Sequence, residues 1–169
     1  MEMEQRVRIQ RTAKLYSANG WLCLPSSPTA KRPLVKLKEA SRDPDKVNAL
    51  FDRDCNLQVV TGEPSGVFVI DIDPRHGGIE SYSKLASLIN LPTTPSVTTG
   101  GGGTHFYFKA PAGIKIKSRE LPGYPGIDIK GDGGMVIAPP SKPVETGEFY
   151  LWNKDARPSF TPSGIPFAE

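Results

Sequence analysis

The stretch Val67-Phe68-Val69-Ile70-Asp71-Ile72-Asp73 constrains this chain more than any other. A continuous apolar run bounded by Gly66 and Pro74 reads as a strand buried on both faces. Side chains alternate along a strand, so Asp71 and Asp73 point to one side, about 7 Å apart. Two carboxylates at the end of a buried strand repel each other where water is scarce. A hard divalent cation such as Mg²⁺ or Mn²⁺, bound through oxygen, relieves that repulsion. On this stretch alone, two solvated acids at a strand end fit as well.

The rest of the composition narrows the class. A chain of 169 residues fits one domain, and 17 Gly with 17 Pro imply a loop-rich α/β protein and argue against a helical bundle. A net charge of +3 permits contact with nucleic acid without demanding it. Cys23 and Cys55 stand alone in apolar settings, which predicts free thiols, a reducing cytoplasm and no zinc spacing. The charged N-terminus precedes no apolar signal core and no run approaches a membrane span, so a cytoplasmic protein with no membrane partner is expected.

A helix is predicted over about Gln5 to Ala18, closed by Asn19-Gly20, then a strand Trp21–Leu24 ended by Pro25. A basic loop carrying Lys31 and Arg32 follows, its charges either solvated or facing substrate phosphates. Asp43 caps a short helix with Pro44 in its first turn and Val47, Leu50 and Phe51 on its buried face. Leu57–Val60 is a strand, and the turn Glu63–Gly66 predicts that the Asp71/Asp73 strand pairs back on it. A helix over Ile79–Ile89 should bury Tyr82, Leu85, Ala86 and Ile89. Strands follow at Ser96–Thr99, Thr104–Phe108 and Ile127–Lys130. Gly131-Asp132-Gly133-Gly134 reads as a turn sending Met135–Ala138 back as a return strand, with Asp132 as a turn residue. Phe149–Trp152 is a last strand before a Pro-rich, extended tail. Tyr107, Tyr124 and Trp152 could stack bases, though core packing accounts for most such aromatics.

Three polar groups then stand on separate strands: the Asp71/Asp73 pair, His105 and Asp128. A third carboxylate beside the first pair makes a site for one or two hard cations completed by substrate phosphates, which points to phosphoryl or nucleotidyl transfer. The tract Thr99-Gly100-Gly101-Gly102-Gly103-Thr104-His105 fits its phosphate side, since glycines let backbone N–H groups approach an anion; taken alone, four glycines before a strand are more often a flexible loop. It is not a Walker loop. With only His76 and His105 as histidines, a zinc hydrolase with clustered His ligands is not expected. Lys130 shares a face with Asp128 and serves either as its salt-bridge partner or as a triphosphate contact.

Taken in order, Gly20-Trp21, Lys31-Arg32-Pro33-Leu34, Thr61-Gly62, Val69–Asp73, Thr99–Phe108, Gly126–Lys130 and Gly133 through Ser141 resemble the bifunctional DNA primase/polymerase N-terminal (Prim-Pol) domain of the archaeo-eukaryotic primase superfamily. The resemblance spans about Ala13 to Trp152. It implies an α/β (α+β) fold: a catalytic core with an RNA-recognition-like, mixed or antiparallel sheet, plus a small N-terminal α/β unit. The expected division is 1–62 for that unit, 63–155 for the metal- and nucleotide-binding core and 156–169 for the tail. The resemblance assigns the catalytic metals, Mg²⁺ or Mn²⁺, to Asp71, Asp73 and Asp128, and the incoming nucleotide to Gly102, Gly103, Thr104, His105 and Lys130. Many members have Ser where this chain has Gly103, so one hydroxyl contact is absent unless Thr104 or a backbone amide replaces it. The implied activity is template-dependent primer synthesis and DNA polymerisation. The implied partners are nucleoside triphosphates, single-stranded DNA template and primer, and a helicase domain or protein, often on plasmids, phages or integrated elements. The alternatives are a non-catalytic nucleotide- or DNA-binding replication module and a metal-dependent nuclease or phosphohydrolase.

Overall fold

The computed structural model describes residues 1–154; the predicted tail at 156–169 lies outside them. The described residues form three helices and nine strands, an α+β arrangement whose named strands pair antiparallel throughout. In chain order these are α1 (Met3–Ala18), β1 (Cys23–Ser26), α2 (Pro44–Leu50), β2 (Asn56–Val60), β3 (Val67–Ile72), α3 (Gly78–Leu88), β4 (Ser96–Thr98), β5 (Thr104–Lys109), β6 (Arg119–Glu120), β7 (Ile127–Lys130), β8 (Met135–Ile137) and β9 (Leu151–Trp152). A large sheet runs β6-β7-β3-β5-β4-β9 and a small one β1-β2-β8. Among the described residues no helix is long and apolar enough to cross a membrane.

Local chemistry accounts for most elements. Asp43 caps α2, its carboxylate accepting from the N–H groups of Asp45 and Lys46, with Pro44 in the first turn. β1 lies two residues later than the apolar run suggested and includes Pro25. Proline is tolerated there because β1 is an edge strand, and its carbonyl accepts from Leu34 N–H. β3 sits between β5 and β7, with Val67 and Val69 in the main core and Ile70 and Ile72 in a smaller cluster with Leu85 and Ile127. Its Phe68 and Ile70 are only half-buried, so the second face is less enclosed than the run of apolar residues predicted.

Three expectations fail for identifiable reasons. The turn Glu63–Gly66 does not build a hairpin; only Gly62 and Val67 bridge, and β2 and β3 diverge into different sheets. Both are interior strands with two neighbours each, so neither has an edge left for the other. Likewise β8 does not return on β7 but pairs with β2. The glycine tract carries the chain across from one sheet to the other. A Cβ at Gly134 would run into Ser118 Oγ, and Thr61 fixes this crossing by donating its N–H to Gly134 O (3.0 Å) and its Oγ1 hydroxyl to Gly131 O (2.7 Å). Asp132 ties the same junction by accepting from Glu63 N–H at 2.9 Å. Finally, α3 buries Gly78, Ser81 and Leu85, while Ala86 and Ile89 are exposed. Close backbone packing at Gly78, where a Cβ would fall 2.5 Å from Asp73 O, rotates that face inward.

The main core joins both sheets and α1. Trp21 lies at its centre, stacked on Tyr107 at 5.5 Å and meeting Tyr16 edge-on at 5.0 Å. Tyr16 OH donates to Pro139 O and accepts from Trp152 Nε1. Tyr107 is thereby buried in packing, away from any base. Cys23 and Cys55 are free and buried, and burial pushes both thiols up to about 12.

Candidate active site

The large sheet lays one row of side chains across its strands. Glu120 stands opposite Asp128, Asp128 opposite Asp71, Asp71 opposite His105, and His105 opposite Val97. Residues directly opposite in an antiparallel pair have Cα atoms about 4.5–5.5 Å apart and share a face. Asp71, Asp128 and His105, expected from three separate strands, are therefore immediate neighbours. Asp73 lies one step past the end of β3, where its N–H donates to Gly126 O and its carboxylate caps the short turn Pro74–His76.

Asp71, Asp73 and Asp128 each already face a basic side chain. His105 Nε2 lies 3.4 Å from Asp71 Oδ1, and Lys130 Nζ lies 2.7 Å from Asp128 Oδ2. Asp73 is gripped by Arg75, through Nε to Oδ1 and Nη2 to Oδ2, both at 3.1 Å, and by His76 Nδ1 at 3.0 Å. Burial alone would raise the Asp71 carboxyl, but the His105 hydrogen bond and the nearby His105 and Lys130 charges hold it below its ordinary value. Arg75's side chain foremost, with its own N–H and His76 and against a smaller effect of burial, holds Asp73 well below the carboxylate range. His105 is buried, and its Nδ1 has no hydrogen-bond partner among the described residues.

Two recesses flank the acids. The wider, about 490 Å³, is lined by Asp71, Asp73, Asp128, Glu120 and His76. The narrower, on the other side, is lined by Lys31, Arg75, Thr99, Gly101, His105 and Tyr150 along with Asp71 and Asp73. One is acidic; the other, the basic recess, sets the basic side chains Lys31 and Arg75 against Asp71 and Asp73, which line both. Among the described residues no three His, Cys, Asp or Glu side chains converge as a ready-made metal cage. Four carboxylates beside His76 nonetheless make the acidic side rich in oxygen donors, which suits a hard divalent cation provided the paired basic groups give way.

The glycine tract works differently from a simple amide cradle. Gly102 N–H donates to Thr99 O (3.0 Å) and Gly103 N–H to Thr99 Oγ1 (2.9 Å), so both amides close the loop on Thr99. Gly102 has φ +79°, which suits glycine. Thr104 is opposite Ile72, on the sheet face that α3 covers, away from His105. The hydroxyl nearest position 103 belongs instead to Thr99: a Cβ at 103 would lie 3.1 Å from Thr99 Oγ1 and only 2.5 Å from Ile72 O. Gly103→Ser should accordingly lose about 1–3 kcal/mol of stability, read by thermal denaturation, because the carbonyl cannot move aside. A variant as stable as the parent would contradict this packing.

Glu120, Arg75, Tyr150 and the placement of Lys31 escaped the sequence. Arg75 stands two residues from Asp73 and was within reach of local reasoning. The others come into place only through strand register or loop folding.

The family model for the bifunctional DNA primase/polymerase N-terminal domain matches residues 13–165. No curated protein matches the chain.

Proposed function

Because the chain belongs to the bifunctional DNA primase/polymerase N-terminal family, a family of primase/polymerase nucleotidyltransferases acting on DNA and nucleotides, we propose that this copy is an active, template-dependent enzyme of that kind. It would synthesise primers and extend them from nucleoside triphosphates on a single-stranded DNA template. The observation that carries this reading is the register row Asp128–Asp71–His105, with an acidic recess on one side and a basic one on the other.

Asp71, Asp73 and Asp128 would hold Mg²⁺ or Mn²⁺, which when bound supplies a Lewis acid for the α-phosphate and a lowered pKa for the attacking hydroxyl. His105, fixed by burial on β5, orients the triphosphate beside Asp71. Gly102 and Gly103 act by folding the loop that presents Gly101 and Thr99 to the basic recess, with the Thr99 hydroxyl in place of a serine. Thr104 anchors that loop to the α3 side of the sheet, and Lys31 contributes charge from the first basic loop. Lys130 holds Asp128 in place until the site is loaded. The 3′-hydroxyl of a primer or initiating nucleotide enters from the wider acidic recess, attacks the α-phosphate and expels pyrophosphate. A helicase domain or protein would supply the opened template.

The test is primer synthesis and extension on defined single-stranded templates, with deoxynucleotides and ribonucleotides supplied separately and Mg²⁺ or Mn²⁺ present. Products whose sequence follows the template are expected, and none in the presence of a chelator. The pairing of Asp71, Asp73 and Asp128 with basic side chains favours a second reading, a module that binds nucleotide or single-stranded DNA without turnover. Metal-independent binding with no product would establish that reading and defeat the first.

A further inference from the structure

We propose that Arg75 is a phosphate ligand held in reserve: in the free protein it neutralises Asp73, and it passes to the triphosphate of the incoming nucleotide when Asp73 is claimed by a divalent cation. The proposal rests on the reading of the site as a metal-dependent nucleotide site and adds to it a residue that the motif reading did not include.

Three observations converge on it. First, Asp73 has no capacity to spare while Arg75 grips it. Its Oδ1 accepts from Arg75 N–H at 2.9 Å and from Arg75 Nε at 3.1 Å, and its Oδ2 faces Arg75 Nη2 at 3.1 Å and His76 Nδ1 at 3.0 Å. A carboxylate with both oxygens doubly engaged is not available to a metal, so either Asp73 is no ligand or Arg75 lets go. Second, Arg75 reaches into the basic recess. It lines that space with Lys31, Gly101 and His105, and the position of a Cβ at Gly101 is 3.8 Å from Arg75 Cζ. The glycine tract thus leaves open the ground beside the guanidinium where a phosphate would lie. Third, the grip is easy to exchange. The Arg75 side chain is 53% exposed and is bonded to a residue two positions away. An exposed pair of this kind is weak, and a doubly charged ion competes for the same carboxylate. A released guanidinium beside a polyphosphate finds the planar two-point partner for which its geometry is suited.

The reserve arrangement makes two predictions of opposite sign for one substitution. With Mn²⁺ alone, Arg75→Ala should bind about two- to fivefold more tightly than the parent, because the competing cation is gone. With Mn²⁺ saturating, the same variant should bind dATP, ATP and inorganic tripolyphosphate about tenfold more weakly, because a charge-assisted contact to phosphate is lost. Equal losses for all three place the contact on the phosphate tail and not on the base or sugar. Arg75→Lys, which keeps the charge but not the fork, should fall between. Calorimetric titration of the full chain reads each quantity without any need for turnover. Unchanged or weaker Mn²⁺ binding by Arg75→Ala, or unchanged nucleotide binding, overturns the proposal. If the parent binds nucleotide with Mn²⁺ and Arg75→Ala behaves like it, only the role of Arg75 is lost. If the parent shows no Mn²⁺-dependent nucleotide binding, the functional reading falls together with it.

Discussion

Asp71→Asn should abolish templated nucleotide incorporation, with a fall of about a thousandfold or more in rate. Asp71 is the middle member of the row, with Asp128 on one side and His105 on the other, and it forms part of the wall of both recesses. It is held in its ionised form by His105 and Lys130 against the effect of burial, so at neutral pH the substitution removes a full negative charge. Asparagine keeps the shape and leaves the β3 ladder intact, so the loss should appear in chemistry and in metal-dependent nucleotide binding, with little change in folding. Gel analysis of primer extension in Mn²⁺, beside a thermal melt, measures both. Extension within tenfold of the parent would remove Asp71 from the catalytic centre. Unimpaired DNA binding with no synthesis in the parent would place the protein with the non-catalytic modules.

The largest effect on the fold is expected at Trp21. Trp21→Ala should cost about 3–5 kcal/mol, a large part of what an ordinary domain has to spend. The indole is 1% exposed, stacks on Tyr107 and also packs against Tyr16 and Trp152, so its removal opens a cavity lined by rings that belong to α1, β5 and β9. For a domain of this size the melting temperature should drop by about 10 °C or more. Near-UV circular dichroism and denaturant unfolding check it, and Trp21→Phe should recover much of the loss. A melting point within two or three degrees of the parent, roughly the effect of 1 kcal/mol, would show that this aromatic cluster does not hold the sheets together. Tyr107 is two residues from His105 on the same strand, so the variant should also bind nucleotide less well than its residual folded fraction explains.

What the sequence made legible was local. Four apolar residues running into Asp71 and Asp73 define a strand and its acids whatever surrounds them, and Asp43-Pro44 announces a helix start by backbone chemistry alone. Those signals needed no partner to be read. Asp128 and His105 were legible as strand residues of the right type, and the family resemblance named them, but their adjacency is a matter of register. Glu120 is the clearest loss: a charged residue on a two-residue edge strand gives no periodic signal, and only the pairing of β6 with β7 brings it into the row. Lys31 looked like ordinary solvated loop charge because nothing nearby shows that the loop folds against the basic recess. The β8 strand was misplaced because Gly131–Gly134 has the composition of a hairpin turn. The close approach of Ser118 and Thr61, which the glycines permit, depends on residues far from it in the chain.

That crossing strand has a consequence for how the protein is made. During synthesis, β1 and β2 emerge early, but the second neighbour of β2 is β8, which emerges only after the whole stretch bearing Asp71, His105 and Asp128. Until then β2, all five of whose residues are buried in the finished fold, presents an open edge, the kind of surface that recruits other chains. The small sheet therefore closes only after strands β3 to β7 of the large sheet have been made, and β9 joins the large sheet later still. Long-range pairing of this sort slows folding and favours a single cooperative transition over independent folding of the N-terminal part. A chain interrupted before Met135 would carry every acid of the site and still lack the strand that seals it.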